Sequence, residues 1–239
     1  MINRLLSISR RPEEGWDPVP RRYAETYSCK EWAKLDTGVV DRIEERMGGL
    51  AGKRVLDLGA GPGQYAVEFA RRRAQVTWHD VSRVYLEIAQ KHATALQVPM
   101  EFSLGYLEDA TRMLAPSYDL VFNRICYYYS RNDRRFARII YDLVRPGGYI
   151  YIWNWLQTPQ GLAQMSWKRR FQYYANAYCG VKIGHPCPPP GRVPALLREC
   201  ELEWIEVLHP RPGCELILAK RSSGVPQACQ PTRPELPFE

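Results

Sequence analysis

No hydrophobic stretch in the chain approaches the roughly 20 residues that cross a bilayer, so a membrane-spanning helix is excluded and no membrane partner is expected. No C-x-x-C pair occurs. The seven cysteines, Cys29, Cys126, Cys179, Cys187, Cys200, Cys214 and Cys229, are odd in number and scattered. That argues against a zinc site and against a disulfide framework, so no metal is expected and reduced, mostly buried thiols fit better. Internal repeats are absent. Residues 1–11 are too weakly apolar for a secretory signal, and a cytoplasmic protein is expected. A dense basic stripe is also missing. The net charge of +7 permits anionic partners, but the basic residues form only short clusters at Arg21-Arg22, Arg71-Arg72-Arg73 and Lys168-Arg169-Arg170. The first and last could contact a substrate. The middle one falls in the last turn of an expected helix, where cations complement the macrodipole. This spread argues against a nucleic-acid partner. The oligomeric state stays open.

What is present is a soluble-type composition, 45% hydrophobic and 25% charged over 239 residues, enough for one large α/β domain or two small ones. Residues 1–22 read as irregular, 23–34 as helix-capable, and 36–47 as a helix through Val39, Val40, Ile43 and Met47, stopped by Gly48-Gly49. Strands are expected at 53–58, 75–79, 100–104, 118–123 and 149–154, with helices at 63–73, 82–96 and 132–144 between them. Ser82 and Asn132 suit N-cap positions, and Arg145-Pro146-Gly147-Gly148 should end the last of these helices. Repeated strand-helix units imply a parallel sheet covered on both faces. The final apolar runs, 202–208 and 215–219, have only His209-Pro210-Arg211-Pro212-Gly213 between them and should pair antiparallel. The tail from residue 221 to 239 is polar and proline-bearing, and disorder is expected there.

The most informative segment runs from Val55 to Ala70: a short apolar strand, a glycine-rich turn and an amphipathic helix. Glycine lacks a Cβ and lets bare backbone approach a ligand, and the following helix points free N–H groups at it. The dinucleotide fingerprint is G-x-G-x-x-G. Here Gly59, Gly61 and Gly63 give G-x-G-x-G, Gln64 takes the place of the last fingerprint glycine, and Asp57 stands two residues before the first.

With these residues the segment closely resembles motif I of the class I methyltransferases that use S-adenosylmethionine. The resemblance covers about residues 50–156 well and 192–220 in outline. It implies an α/β, Rossmann-like, seven-stranded mostly parallel sheet in the order 3-2-1-4-5-7-6, with the last strand antiparallel and helices on both faces. It divides the chain into an N-terminal lid or helical segment at 1–49, a methyltransferase domain at 50–220 containing a substrate-cap insertion at 155–192, and the tail. S-adenosylmethionine is the implied cofactor, with S-adenosylhomocysteine as product, held by Asp57, Gly59, Ala60, Gly61 and Gly63. Asp80, at the end of the second strand, suits the ribose hydroxyls because a carboxylate accepts two such bonds well, and Val81 follows it. His79 alternates to the other side and reads as structural. The turn after the third strand flanks adenine in the family, often with an aspartate after its glycine. Here Tyr106 stands there, able to stack on or cover the base, while the N–H of Leu107 can still meet the ring.

The fourth strand ends at Asn123 and Arg124, close to where the transferred methyl should sit; Asn123 joins the cofactor set and Arg124 the substrate set. Tyr128-Tyr129 occupy the place of a His-His pair found in many small-molecule methyltransferases. The Asn-Pro-Pro-Tyr type of motif is missing, which weakens a DNA-base or glutamine substrate. Tyr23 and Tyr27 can lid the cofactor, since tyrosine faces attract cations such as a sulfonium, or can simply pack their helix on the core. Tyr27, Tyr127, Tyr128 and His185 are the candidate catalytic groups; Trp155 and Tyr174 should help wall an enclosed aromatic pocket over the fourth and fifth strands. The implied activity is methyl transfer to an O, N, S or C nucleophile of a small organic acceptor. Alternatives are an RNA or protein methyltransferase and, in another class, a non-catalytic S-adenosylmethionine-binding partner subunit.

Overall fold

The structure is a computed structural model that describes residues 19–130, 132–179, 183 and 186–224. Two helices, α1 (Arg21–Ala33) and α2 (Thr37–Met47), come first. Strand-helix alternation then runs through β1 (Arg54–Leu58), α3 (Gln64–Arg71), β2 (Gln75–Asp80), α4 (Arg83–Ala95), β3 (Met100–Leu104), α5 (Ala110–Met113), β4 (Tyr118–Arg124), α6 (Asp133–Leu143) and β5 (Val144–Trp155). The short α7 (Pro159–Gln164), α8 (Trp167–Cys179) and α9 (Arg192–Leu197) lead to β6 (Leu202–Leu208) and β7 (Cys214–Arg221).

The strands form one sheet in the order β3-β2-β1-β4-β5-β7-β6. Pairing is parallel from β3 to β5, and β7 runs antiparallel to both β5 and β6. Two-residue periodicity in the strands sends alternate side chains to two separate cores. Val55, Trp78, Phe122 and Tyr151 meet Val40, Ile43 and Phe69 of α2 and α3 on one face. Leu56, Leu58, Ile150, Ile152 and Ile217 meet Phe136, Ile140 and Leu197 of α6 and α9 on the other.

The local signals act as the sequence suggests. Ser82 caps α4 by accepting from the Tyr85 N–H at 3.4 Å, and Asn132 caps α6 by accepting from the Arg135 N–H at 3.0 Å. Arg72, just past α3, forms ion pairs with Glu68, Glu44 and Asp41 and so ties α3 to α2. One boundary differs. The segment 145–148 does not form a terminal loop after α6; β5 already begins at Val144, and its ladder with β4 is irregular until Tyr149 pairs with Leu120. Pro146 cannot donate to a ladder and Gly147 has φ +74, which explains the interruption. The tail expectation at 225–239 lies outside the described residues. Among the described residues no helix is long and apolar enough to cross a membrane.

Candidate active site

The glycine turn is built by the end of β1 and clamped by the end of β2. The N–H groups of Gly59 and Ala60 both donate to the carbonyl of His79, at 2.7 and 3.2 Å. The Trp78 indole N–H donates to the Gly61 carbonyl at 3.0 Å. Asp80 accepts from the Gly61 N–H through Oδ2 and from the Ser82 N–H through Oδ1, each at 2.9 Å. Gly59, with φ +76, lies so close to Cys126 that an added Cβ would fall 1.9 Å from its sulfur. Gly61, with φ +53, would place a Cβ with no atom within 4 Å. One glycine is required by packing; the other faces open space. Gly63 meets α4, where a Cβ would come within 2.9 Å of Ala89.

That open space is a cleft with about 900 Å3 of empty volume, part of it continuous with solvent. Its floor is the carboxyl ends of β1, β2 and β4, and its far end reaches Gly105 and Leu107 after β3. Because strand order reverses between β1 and β4, the cleft lies at the topological switch point, where open α/β sheets bind ligands. Tyr27 of α1, Tyr85 of α4 and Tyr129 after β4 form an aromatic wall, with Tyr23 stacked outside Tyr27 at a centroid distance of 6.1 Å.

Charge in the cleft is set by burial. Desolvation, then the neighbouring Asp80 carboxylate, pushes the buried Asp57 carboxyl up to about 7, against the opposing pull of the Ala66 N–H. Burial also lowers His79 to about 4, leaving it neutral at physiological pH while its Nδ1 meets the Ser103 hydroxyl at 3.0 Å. Desolvation, reinforced by Glu31, raises Tyr27 to about 12; Tyr85 and Tyr129 are raised as well, again chiefly by desolvation. Arg124 lies over the rings of Tyr65 and Trp153 and pairs with Glu31 of α1 at 2.8 Å. Ile125 turns the chain with φ +59, a left-handed conformation that a β-branched residue rarely adopts and that marks functional turns.

Residues 55–148 match the family model for a methyltransferase domain. Over those residues the chain is similar to methyltransferase domains. Among curated relatives it is 32% identical to the ubiquinone biosynthesis O-methyltransferase of Aeromonas salmonicida (strain A449) over 126 residues, 53% of each chain. It is 34% identical to the protein of the same name from Acinetobacter baylyi (strain ATCC 33305 / BD413 / ADP1) over 110 residues, 46% of each. The chain thus spans about half the length of the curated relatives it matches. An O-methyltransferase family protein from Burkholderia thailandensis shares the fold at 20% identity with a TM-score of 0.64, covering 86% of this chain and 61% of that one. The cyclase SpnF shares it at 18% identity and a TM-score of 0.60, covering 78% and 80%. These likenesses concern the fold alone, which hosts more than one chemistry.

Of the expected cofactor set, Asp57, Gly59, Ala60, Gly61, Asp80, Val81 and Leu107 line the cleft, as do Tyr27 and Arg124. Other expected site residues do not. Asn123 is buried and spends its amide N–H on the Leu58 carbonyl at 2.8 Å, tying β4 to β1. Tyr106 has extended backbone, so its neighbours Gly105 and Leu107 line the cleft while it does not. Gly63 is taken by packing and Tyr23 by the outer stack. Tyr127 is fully buried, its hydroxyl accepting from the Asn176 amide at 3.2 Å, and Tyr128 donates to the Trp155 carbonyl at 3.4 Å. Trp155 lies under the Arg211 guanidinium at 4.8 Å, and Tyr174 is on the exposed face of α8. His185 lies outside the described residues. Among the described residues, the aromatic wall of the cleft stands over β1, β2 and β4. Tyr85, Tyr129 and Cys126 were not anticipated, and His79, read as structural, does line the cleft. Tyr85 carried a signal: it is three residues past the Ser82 cap, in the first helical turn beside Asp80.

Proposed function

We propose that this chain binds S-adenosylmethionine in the cleft and transfers its methyl group to a small organic acceptor. The observation that carries the reading is Gly61: a bare α-carbon facing open space at the strand-order switch point, with its own N–H held by Asp80. The residues fit the group. A carboxylate has capacity for about four hydrogen bonds, so Asp80 suits ribose hydroxyls beside its two backbone donors. Val81 and Leu107 offer apolar flanks for a base. The faces of Tyr27, Tyr85 and Tyr129 suit a cation.

When bound, the cofactor supplies an electrophilic methyl on a sulfonium. The protein's contribution is alignment and exclusion of water. Tyr27 and its neighbouring tyrosines stay protonated at neutral pH, so they orient an acceptor by donating hydrogen bonds rather than by removing its proton. Acceptors that ionise readily, such as acidic phenols or thiols, are favoured, and the likeness to ubiquinone biosynthesis O-methyltransferases supports oxygen as the acceptor atom. The helix α1 acts as a lid carrying Tyr27. The free cysteines among the described residues suit a cytoplasmic setting.

The test uses methyl-labelled S-adenosylmethionine with panels of phenols, thiols, amines and short RNA. Label should pass to a phenol or thiol. Binding of the cofactor with no transfer to any acceptor would instead identify a non-catalytic partner subunit.

A further inference from the structure

The outer face of α8 is apolar where a surface helix is ordinarily polar. Trp167, Phe171, Tyr174 and Tyr178 recur at spacings of four, three and four residues, which places them in one narrow stripe along the helix. Three of them stand out: Trp167 is 81% exposed, Phe171 59% and Tyr178 82%. Tyr174 and Tyr178 stack at 5.8 Å between centroids, so the stripe is an ordered surface. The opposite side of the helix holds the buried Tyr173 and Asn176, and it is fastened to the body by the bond from Asn176 to Tyr127 and by the Arg192 guanidinium, which donates to the Ala177 carbonyl at 2.7 Å. The helix is therefore held with its aromatics outward.

Charge says what the stripe faces. Lys168, Arg169 and Arg170 stand in its first turn, and the helix has no acidic residue. The surrounding sequence is more lopsided still: between Asp142 and Glu199 there is no Asp or Glu, against seven Lys or Arg. A second copy of the chain docking face to face would set these cations against each other. The stripe also stands on the outer face of a single helix, whereas single-stranded nucleic acid is held in a groove.

We infer that α8 docks this protein on an anionic lipid surface, with the aromatic stripe in the headgroup zone and Lys168, on the flank of the stripe, beside the acidic lipids. Trp, Tyr and Phe suit that zone because they combine an apolar body with, in Trp and Tyr, a polar tip. An in-plane amphipathic helix of this kind does not cross the bilayer, so the lack of a spanning helix does not bear on it. The inference does not depend on methyl transfer, and its test reads binding rather than turnover.

The experiment is flotation of the full chain with vesicles of phosphatidylcholine alone or with 30% phosphatidylglycerol, at low and high salt. Flotation with the anionic vesicles only, falling as salt rises, is expected. A Trp167→Ser/Phe171→Ser/Tyr178→Ser variant should lose on the order of tenfold or more in partitioning. A charge reversal at the exposed Lys168, Lys168→Glu, should lose on the order of tenfold. Failure of the parent chain to float overturns the inference. So does flotation that neither variant weakens, dissociation of a parent dimer by the aromatic variant without any lipid binding, or retention of single-stranded RNA in place of vesicles.

Discussion

Two carboxyl groups, Asp57 and Asp80, share the cleft, and they do different work. Asp80 is held by backbone donors from both sides, whereas Asp57 is buried and pushed up to about 7 by desolvation and by Asp80. An unfolded chain would ionise Asp57 near pH 4. The folded protein therefore keeps a proton that the unfolded chain has lost. The stabilisation this gives is complete below about pH 4 and is lost as pH rises through about 7. Urea unfolding between pH 4 and 8 should show stability falling across that window, and Asp57→Asn should flatten the fall; an unchanged slope in the variant would assign it elsewhere. Over the same window a cationic ligand should bind more tightly as Asp57 ionises. The two glycines separate by the same reasoning. Gly59→Ala forces a Cβ into Cys126 and should cost at least about 2 kcal/mol of stability. Gly61→Ala meets only open space and should cost about 1 kcal/mol for its left-handed backbone, yet lose most ligand affinity. Melting curves and calorimetry on the pair distinguish these outcomes, and equal effects on stability would contradict the assignment of Gly61 to the ligand side.

At the scale of elements, α1 is tied to the body by two ion pairs, an exposed one from Arg21 to Glu87 of α4 and a buried one from Glu31 to Arg124 beside the cleft. Glu31 and Arg124 are both largely buried and 2.8 Å apart, and Glu31 is one helical turn beyond Tyr27 on the same face. Removing one partner strands the other charge, so Glu31→Gln should cost about 3 kcal/mol and loosen α1, which protease sensitivity of residues 21–33 would report. Normal stability with a normal digestion pattern would show that α1 is held by its other contacts. Elements were the legible level of this sequence, because their signals are local: the caps at Ser82 and Asn132, the short apolar runs of β1 and β4, the Gly48-Gly49 stop. The three consecutive tyrosines were not legible. Tyr127–Tyr129 form a single 3-10 turn, in which successive side chains point about 120° apart. One goes to Asn176, one to the Trp155 carbonyl and one to the cleft. Neither strand nor helix periodicity assigns those directions, and they depend on the positive φ of Ile125, which nothing in the sequence announces.

At the scale of the whole molecule, the strand order puts the reversal between β1 and β4, and everything that lines the cleft follows from it. The glycine turn, Asp80 and the end of β4 could be placed there from sequence because a parallel sheet carries all its strand ends to one edge. The segment 155–192 could not, since Asn176 and Arg192 fasten it to Tyr127 and Asp133 through long-range contacts that no repeating pattern announces. The same edge that brings Asp57, Gly61 and Asp80 together is the one where open α/β sheets bind ligands, and the G-x-G-x-G spacing is the ground on which we propose S-adenosylmethionine rather than NAD. Isothermal titration calorimetry with each ligand tests this most directly. S-adenosylmethionine should bind the parent chain, and Asp80→Ala should weaken it on the order of tenfold or more, while NAD gives no binding heat. Saturable binding of NAD, with no response to S-adenosylmethionine or S-adenosylhomocysteine, would contradict it.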